Sequence, residues 1–242
     1  METTNTNTLR PTFSSSFHHG WDVAFGSNFL VLFLVVILVG IISGPSGFMQ
    51  LNFDPEDFSH GFNHMHLFDA AVASLGILAA LLALFALAYA LLLVPIFEFG
   101  AKLMFVEATR GNRPNFDTLI KGFRENYLHI ILANLLMFAL IGMAFIALII
   151  PGIIVACRLI FVPYLVMDKK LDPIAAVEES WRMTRGHAWT IFFMALTSIF
   201  IIFLGALLLI VGIIPAMVWV KSSFASLYYA VLLEKEQAVV VE

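Results

Sequence analysis

The sequence predicts an all-α fold, a polytopic bundle of six membrane-spanning helices with short amphipathic elbow helices at the membrane interface. Three observations predict it. Hydrophobic residues make up 61% of the 242 and charged ones 12%, against roughly 45–50% and about 25% in a soluble domain. Several charge-free runs exceed the ~18 residues that mark a membrane-spanning candidate. Lysines and arginines near the predicted helix ends gather in residues 98–127 and 168–187, and none occurs in 44–68 or at the apolar turns around Pro151 and Pro215. Positive charge stays cytoplasmic, so both basic segments and both termini are expected inside, which six spans satisfy.

Residues 1–19 are rich in Thr, Asn and Ser and read as a disordered polar tail. They lack the basic start and cleavage site of a signal peptide. Residues 20–28 form an interfacial lead-in, with Trp21 suited to the headgroup region. The membrane domain, 20–233, opens with a first span at 29–43. An outer loop at 44–68 follows, carrying Asp54, Glu56, Asp57 and three histidines. The run from 70 to 110 reads as one long helix kinked near Pro95. Two short helices turning at Pro95 would instead make seven segments. A short amphipathic helix at 117–126 leads into the third span, 127–150. Ile150-Pro151-Gly152 reads as a tight turn into the fourth span, 153–167. An amphipathic helix at 173–186 leads into the fifth span, 188–212, and a turn at Ile214-Pro215 into the sixth, 216–233. Residues 234–242 are a short charged tail.

An internal repeat underlies this order. Val94-Pro95, Ile150-Pro151 and Ile214-Pro215 are each followed, six or seven residues after the proline, by a cation: Lys102, Arg158 and Lys221. Three related helix hairpins, each led in by an amphipathic segment, are expected.

Arg158 is the sharpest candidate site residue. A charge in mid-span costs at least ~2.5–3.5 kcal/mol on insertion scales, so it faces a bundle interior or a wet cavity and marks function. An anion site for a phosphate-bearing headgroup would have Lys102 and Lys221 converge on Arg158. The competing reading ties Arg158 to backbone carbonyls or Glu98, with the lysines snorkelling to the interface. In the elbow 173–186, Asp172 is placed as the cap, Pro173 at the first helical position and Gly186 past the end. Ile174, Val177 and Trp181 share one face, and Glu178 and Arg182 form an i,i+4 pair on another. Arg182, Arg185 and His187 are available to anionic lipid or a partner protein. His60, His64 and His66 are conceivable metal ligands, but their spacing fits no closed zinc site, and a solvated acidic loop is expected. Cys157 reads as a packing residue. No phosphate-cradling loop, nucleophile elbow, HExxH or dinucleotide fingerprint is present.

One stretch resembles a known family. Pro163-Tyr164, Asp168, Pro173-Ile174-Ala175-Ala176, Glu179-Ser180-Trp181, Thr184-Arg185-Gly186-His187 and Trp189 are similar to the signature of a bacterial six-helix membrane protein family of unknown function. A similar module forms the membrane domain of certain glycerophosphodiester phosphodiesterases. Ala108-Thr109-Arg110-Gly111, Pro114 and Gly122-Phe123 resemble its middle motif. The resemblance implies a protein of the bacterial cytoplasmic membrane with both termini inside. It carries over no catalytic residue, and the hydrolase domain of the fused members has no counterpart in these residues. The expected function is therefore non-enzymatic: an accessory or scaffold protein engaging membrane lipids, a second copy of itself or a membrane protein partner. The alternative is a transporter or lipid-handling protein with a headgroup site around Arg158. No cofactor, metal or nucleic-acid partner is expected.

Overall fold

The structure is a computed structural model, and it describes residues 9–48, 80–207 and 210–241. Among these residues the fold is all-α. The helices are α1 (Phe13–Phe25), α2 (Phe29–Phe48), α3 (Val94–Thr109), α4 (Asp117–Glu125) and α5 (Tyr127–Ala147). They continue with α6 (Ile149–Arg158), α7 (Val162–Asp168), α8 (Pro173–Met183), α9 (Ala188–Leu207) and α10 (Ile210–Val241). Residues 80–92 are helical as well and run into α3 across a one-residue turn at Leu93. The order is an elbow, an outgoing helix and a returning helix, three times over: α1, α2 and 80–109; α4, α5 and α6–α7; α8, α9 and α10.

Among the described residues five helices are long and apolar enough to cross a membrane: Ala80–Thr109, Tyr127–Ala147, Ile149–Asp168, Ala188–Leu207 and Gly212–Gln237. A sixth emerges only if α1 and α2, bent 94° apart, count as one broken span. Ala80–Thr109 is continuous enough to be one span, with Pro95 near the start of α3. Proline is tolerated there because the first-turn N–H has no intrahelical partner to lose.

Several expectations need correction. The tail ends earlier than residue 19, because α1 begins at Phe13. Thr12 caps it, accepting a hydrogen bond from the Ser15 N–H at 3.4 Å. The expected lead-in at 20–28 falls largely in the second half of α1, and α1 packs on α10 through Ser16, Phe17, Gly20 and Ala24. The approach is so close that a Cβ on Gly20 would meet the Ser223 Cα at 2.5 Å. The charged tail expected from residue 234 is helical as far as it is described: α10 continues to Val241, 32 residues in all.

The proline turns also move. The chain reverses at Leu148, which is extended at φ −168°, and Pro151 is the third residue of α6. Pro215 lies inside α10. The three prolines therefore mark different points: mid-span for Pro95, near the start of a returning helix for the other two. The expected fourth span breaks at residues 159–161, so Arg158 ends α6 instead of sitting in a continuous helix. Pro163 explains the break, since it opens α7 and cannot donate back to the preceding turn.

The core sits where α3, α7 and α10 meet, around Phe105, Phe161, Leu165 and Tyr228. The outer surface is apolar. On α5, Leu132, Leu135 and Phe138 are exposed and only Ile130 and Ala133 are buried. That is the inside-out pattern of a helix facing lipid. The histidines His60, His64 and His66, with Asp54, Glu56 and Asp57, lie outside the described residues.

Candidate functional site at the elbow

The elbow α8 is held from below by small residues. Ala176, Ser180 and Thr184 are fully buried and Met183 nearly so, a stripe at helical spacing that brings the helix close to α7 and α5. Ser180 Oγ donates to the Arg158 carbonyl at 2.7 Å, satisfying a group that the broken span leaves open. Thr184 Oγ1 donates back to the Ser180 carbonyl at 2.9 Å. Each end is tied by a histidine–carboxylate contact: His129 Nε2 to Asp172 Oδ1 at 2.8 Å, and His187 Nε2 to Glu234 Oε2 at 3.1 Å. Asp172 holds the cap position, yet its side chain goes to His129 and accepts no capping bond from α8.

The opposite face is open. Ile174 is 68% exposed, Trp181 37% and Trp189 72%. The expected Glu178–Arg182 pair does not form; Arg182 Nη2 meets Glu179 Oε2 at 2.5 Å instead. Glu178, Glu179 and Arg182 all line the side turned toward α10. There a cleft of about 920 Å³ opens between α7, α8 and α10, over an apolar floor that includes Leu165, Leu171 and Leu232. Lys169, Arg182 and Lys235 line it with Glu178, Glu179 and Glu236, and Lys169 pairs with Glu236 at 3.2 Å. Its charges balance by sign. Arg185 is exposed after the elbow, just before Gly186, whose φ of +88° turns the chain into α9. A side chain at Gly186 would be strained.

The structure separates the three cations that the sequence set on a common site. Lys102 and Lys221 come together, close enough that each feels Glu98 and Lys102 feels Lys221. Lys102 Nζ lies 5.7 Å from the Phe99 ring centroid and 5.9 Å from that of Tyr164. Glu98 and Lys102 form no ion pair within 4.0 Å among the described residues. Arg158 stands apart under the elbow, its guanidinium 5.7 Å from the Trp181 ring centroid. Its Nε and Nη1 are buried and meet no acceptor among the described residues. Cys157 beside it is a half-buried free thiol.

Sequence reasoning missed one constellation. Arg110 donates to both oxygens of Asp168, at 2.6 and 2.7 Å, and the Tyr228 hydroxyl donates to Asp168 Oδ2 at 2.9 Å. The Arg110 guanidinium also lies 5.4 Å from the Tyr229 ring centroid. Asp168 is 7% exposed and Arg110 26%. Burial works against the arginine's charge, but the Asp168 hydrogen bonds and charge outweigh it and raise its pKa above the ordinary value. This clamp joins the ends of α3 and α7 to α10, so each returning helix supplies one member. A signal was available: Asp168 is the only acid between residues 126 and 171, and an acid in so apolar a stretch asks for a cation.

The elbow and the clamp are built of ion pairs and hydrogen bonds, and elsewhere His19 Nδ1 lies 3.0 Å from Ser226 Oγ. Among the described residues no three His, Cys, Asp or Glu side chains group to hold a metal. No protein-family model, curated protein or solved structure matches this chain.

Proposed function

We propose that this multi-pass membrane protein is a non-enzymatic accessory or scaffold protein of the bacterial cytoplasmic membrane, using elbow α8 to engage lipid or a membrane partner. The observation that carries the reading is the two-sidedness of that helix. Its inner face is fastened to the bundle by Ala176, Ser180, Met183 and Thr184, while Ile174, Trp181, Arg182 and Arg185 face outward. Rigidly held aromatic and basic side chains are how interfacial helices grip anionic headgroups and how proteins present hot spots. Both termini and both basic elbows lie inside on this proposal, in keeping with the positive-inside rule. The likeness of residues 163–189 to the six-helix membrane family belongs to the same proposal.

Extraction in mild detergent followed by native mass spectrometry tests it. A stoichiometric partner or a homo-oligomer, lost in an Arg182→Glu/Arg185→Glu variant, is the expected result. A monomeric particle that carries neither partner nor lipid would overturn the reading.

A further inference from the structure

Arg158 poses a problem that its own bundle does not solve. Two of its guanidinium nitrogens, Nε and Nη1, are sealed from solvent without an acceptor among the described residues. Trp181 covers the flat face, but stacking on a ring uses none of the in-plane N–H donors. Buried donors left unmatched cost more on a cation than on a neutral group. The α6 C-terminus favours the positive charge, yet its last carbonyl is already taken by Ser180. The acceptor is therefore expected from outside the chain.

The surroundings indicate the side from which it comes. None of the clefts described for this fold is lined by Arg158. Where α6 meets α8 at Arg158, the side chains Ile153 and Ile154 on α6 and Trp181 on α8 are apolar and exposed. Exposed apolar side chains of this kind suit a surface turned to lipid. A tetrahedral oxyanion with two free oxygens matches the edge of a guanidinium fork, and a phospholipid carries such a group at headgroup depth. Free inorganic phosphate has the same chemistry but no acyl chains to lie along Ile153 and Ile154.

We propose that Arg158, roofed by Trp181, binds the phosphodiester of an anionic phospholipid entering through the α6–α8 seam. The site deepens the elbow reading given above, on which it rests, by naming the lipid chemistry and the residue that takes it. The uncompensated cation sets the preference for an anionic over a zwitterionic headgroup.

Native mass spectrometry on the full chain, with phosphatidylglycerol, phosphatidylcholine and inorganic phosphate added separately, is the test. Wild type is expected to retain phosphatidylglycerol over phosphatidylcholine, and Arg158→Gln to weaken that retention at least about tenfold. Arg158→Lys should recover part of it, because it keeps the charge and loses the fork. Trp181→Ala, at a partly exposed position, covers the case in which Arg158→Gln fails to fold, and it should also weaken retention. Unchanged phosphatidylglycerol binding in a folded Arg158→Gln, or in Trp181→Ala if only that variant folds, overturns the site. Displacement of the lipid by inorganic phosphate overturns the lipid assignment in favour of a free anion. Partner recovery from the same variants separates the readings: a partner kept while lipid selectivity is lost supports the Arg158 site, and a partner lost while lipid binding is unchanged sinks it.

Discussion

Asp168 accepts two hydrogen bonds from Arg110 and one from Tyr228, in a setting where little water competes. Removing one partner strands the other. Breaking a buried pair costs about 3–5 kcal/mol, and the partial exposure of Arg110 puts Asp168→Asn and Arg110→Ala near the lower end, about 3 kcal/mol. Denaturant or thermal unfolding in detergent measures this. Tyr228→Phe, which deletes a single hydrogen bond, should cost about 1 kcal/mol. Gly20 offers a steric counterpart. Gly20→Val would drive a side chain into the Ser223 backbone, so α1 should detach from α10. Faster protease cleavage or hydrogen exchange confined to residues 13–25 is the expected readout, and an unchanged α1 would contradict the close packing.

At the scale of elements, the elbow is informative because its two faces obey different rules. The sequence puts Ile174, Val177 and Trp181 on an apolar face, which is correct, but the protein-facing side is the small-residue stripe that hydrophobicity does not flag. Close packing in membranes favours small residues because lipid is as apolar as leucine. Ser180→Val should therefore lift α8, losing the bond to the Arg158 carbonyl and overfilling a fully buried site. Hydrogen exchange across Pro173–Met183 should rise while the other helices keep their protection. The loop before the elbow is tied differently. Lys170, at φ +53°, donates to Glu125 at 2.9 Å, and this hydrogen bond holds the Glu125 carboxyl below its usual value. A depressed carboxyl contributes stability above its unfolded value and loses it as pH falls through the folded one. Acidification through the carboxylate range should loosen residues 169–172, and Glu125→Gln should abolish that pH response. An exposed pair of this kind is worth little at any pH.

For the whole molecule, the order of elbow, outgoing and returning helix occurs three times, and the clamp draws one residue from each return. Whether Pro95 lies in mid-span or at a turn has a direct check. With Cys157 replaced by serine, a cysteine at Leu93 should stay unlabelled by membrane-impermeant thiol reagents from either side. Labelling would mean two short segments meeting at a surface. Reporter fusions at both ends should report the cytoplasmic side.

The sequence by itself determined the class, because composition and charge-free length are properties of the chain that the bilayer reads directly. It also placed the elbows at 117–126 and 173–186 and the kinked helix around Pro95, since amphipathic spacing and proline act locally. It misjudged the boundary at Leu148, where apolar residues on both sides leave no contrast for periodicity to use, and the helix ends at Phe13 and Val241, where polar residues that read as tails are wound into helix. Only the tertiary structure decided which charges meet. Lys102 and Lys221 share a neighbourhood, Arg110 finds Asp168 across 58 positions of sequence, and Arg158 is left beneath Trp181. Pairings between distant segments depend on how helices rotate and cross as they pack, and no local pattern in the chain records that rotation.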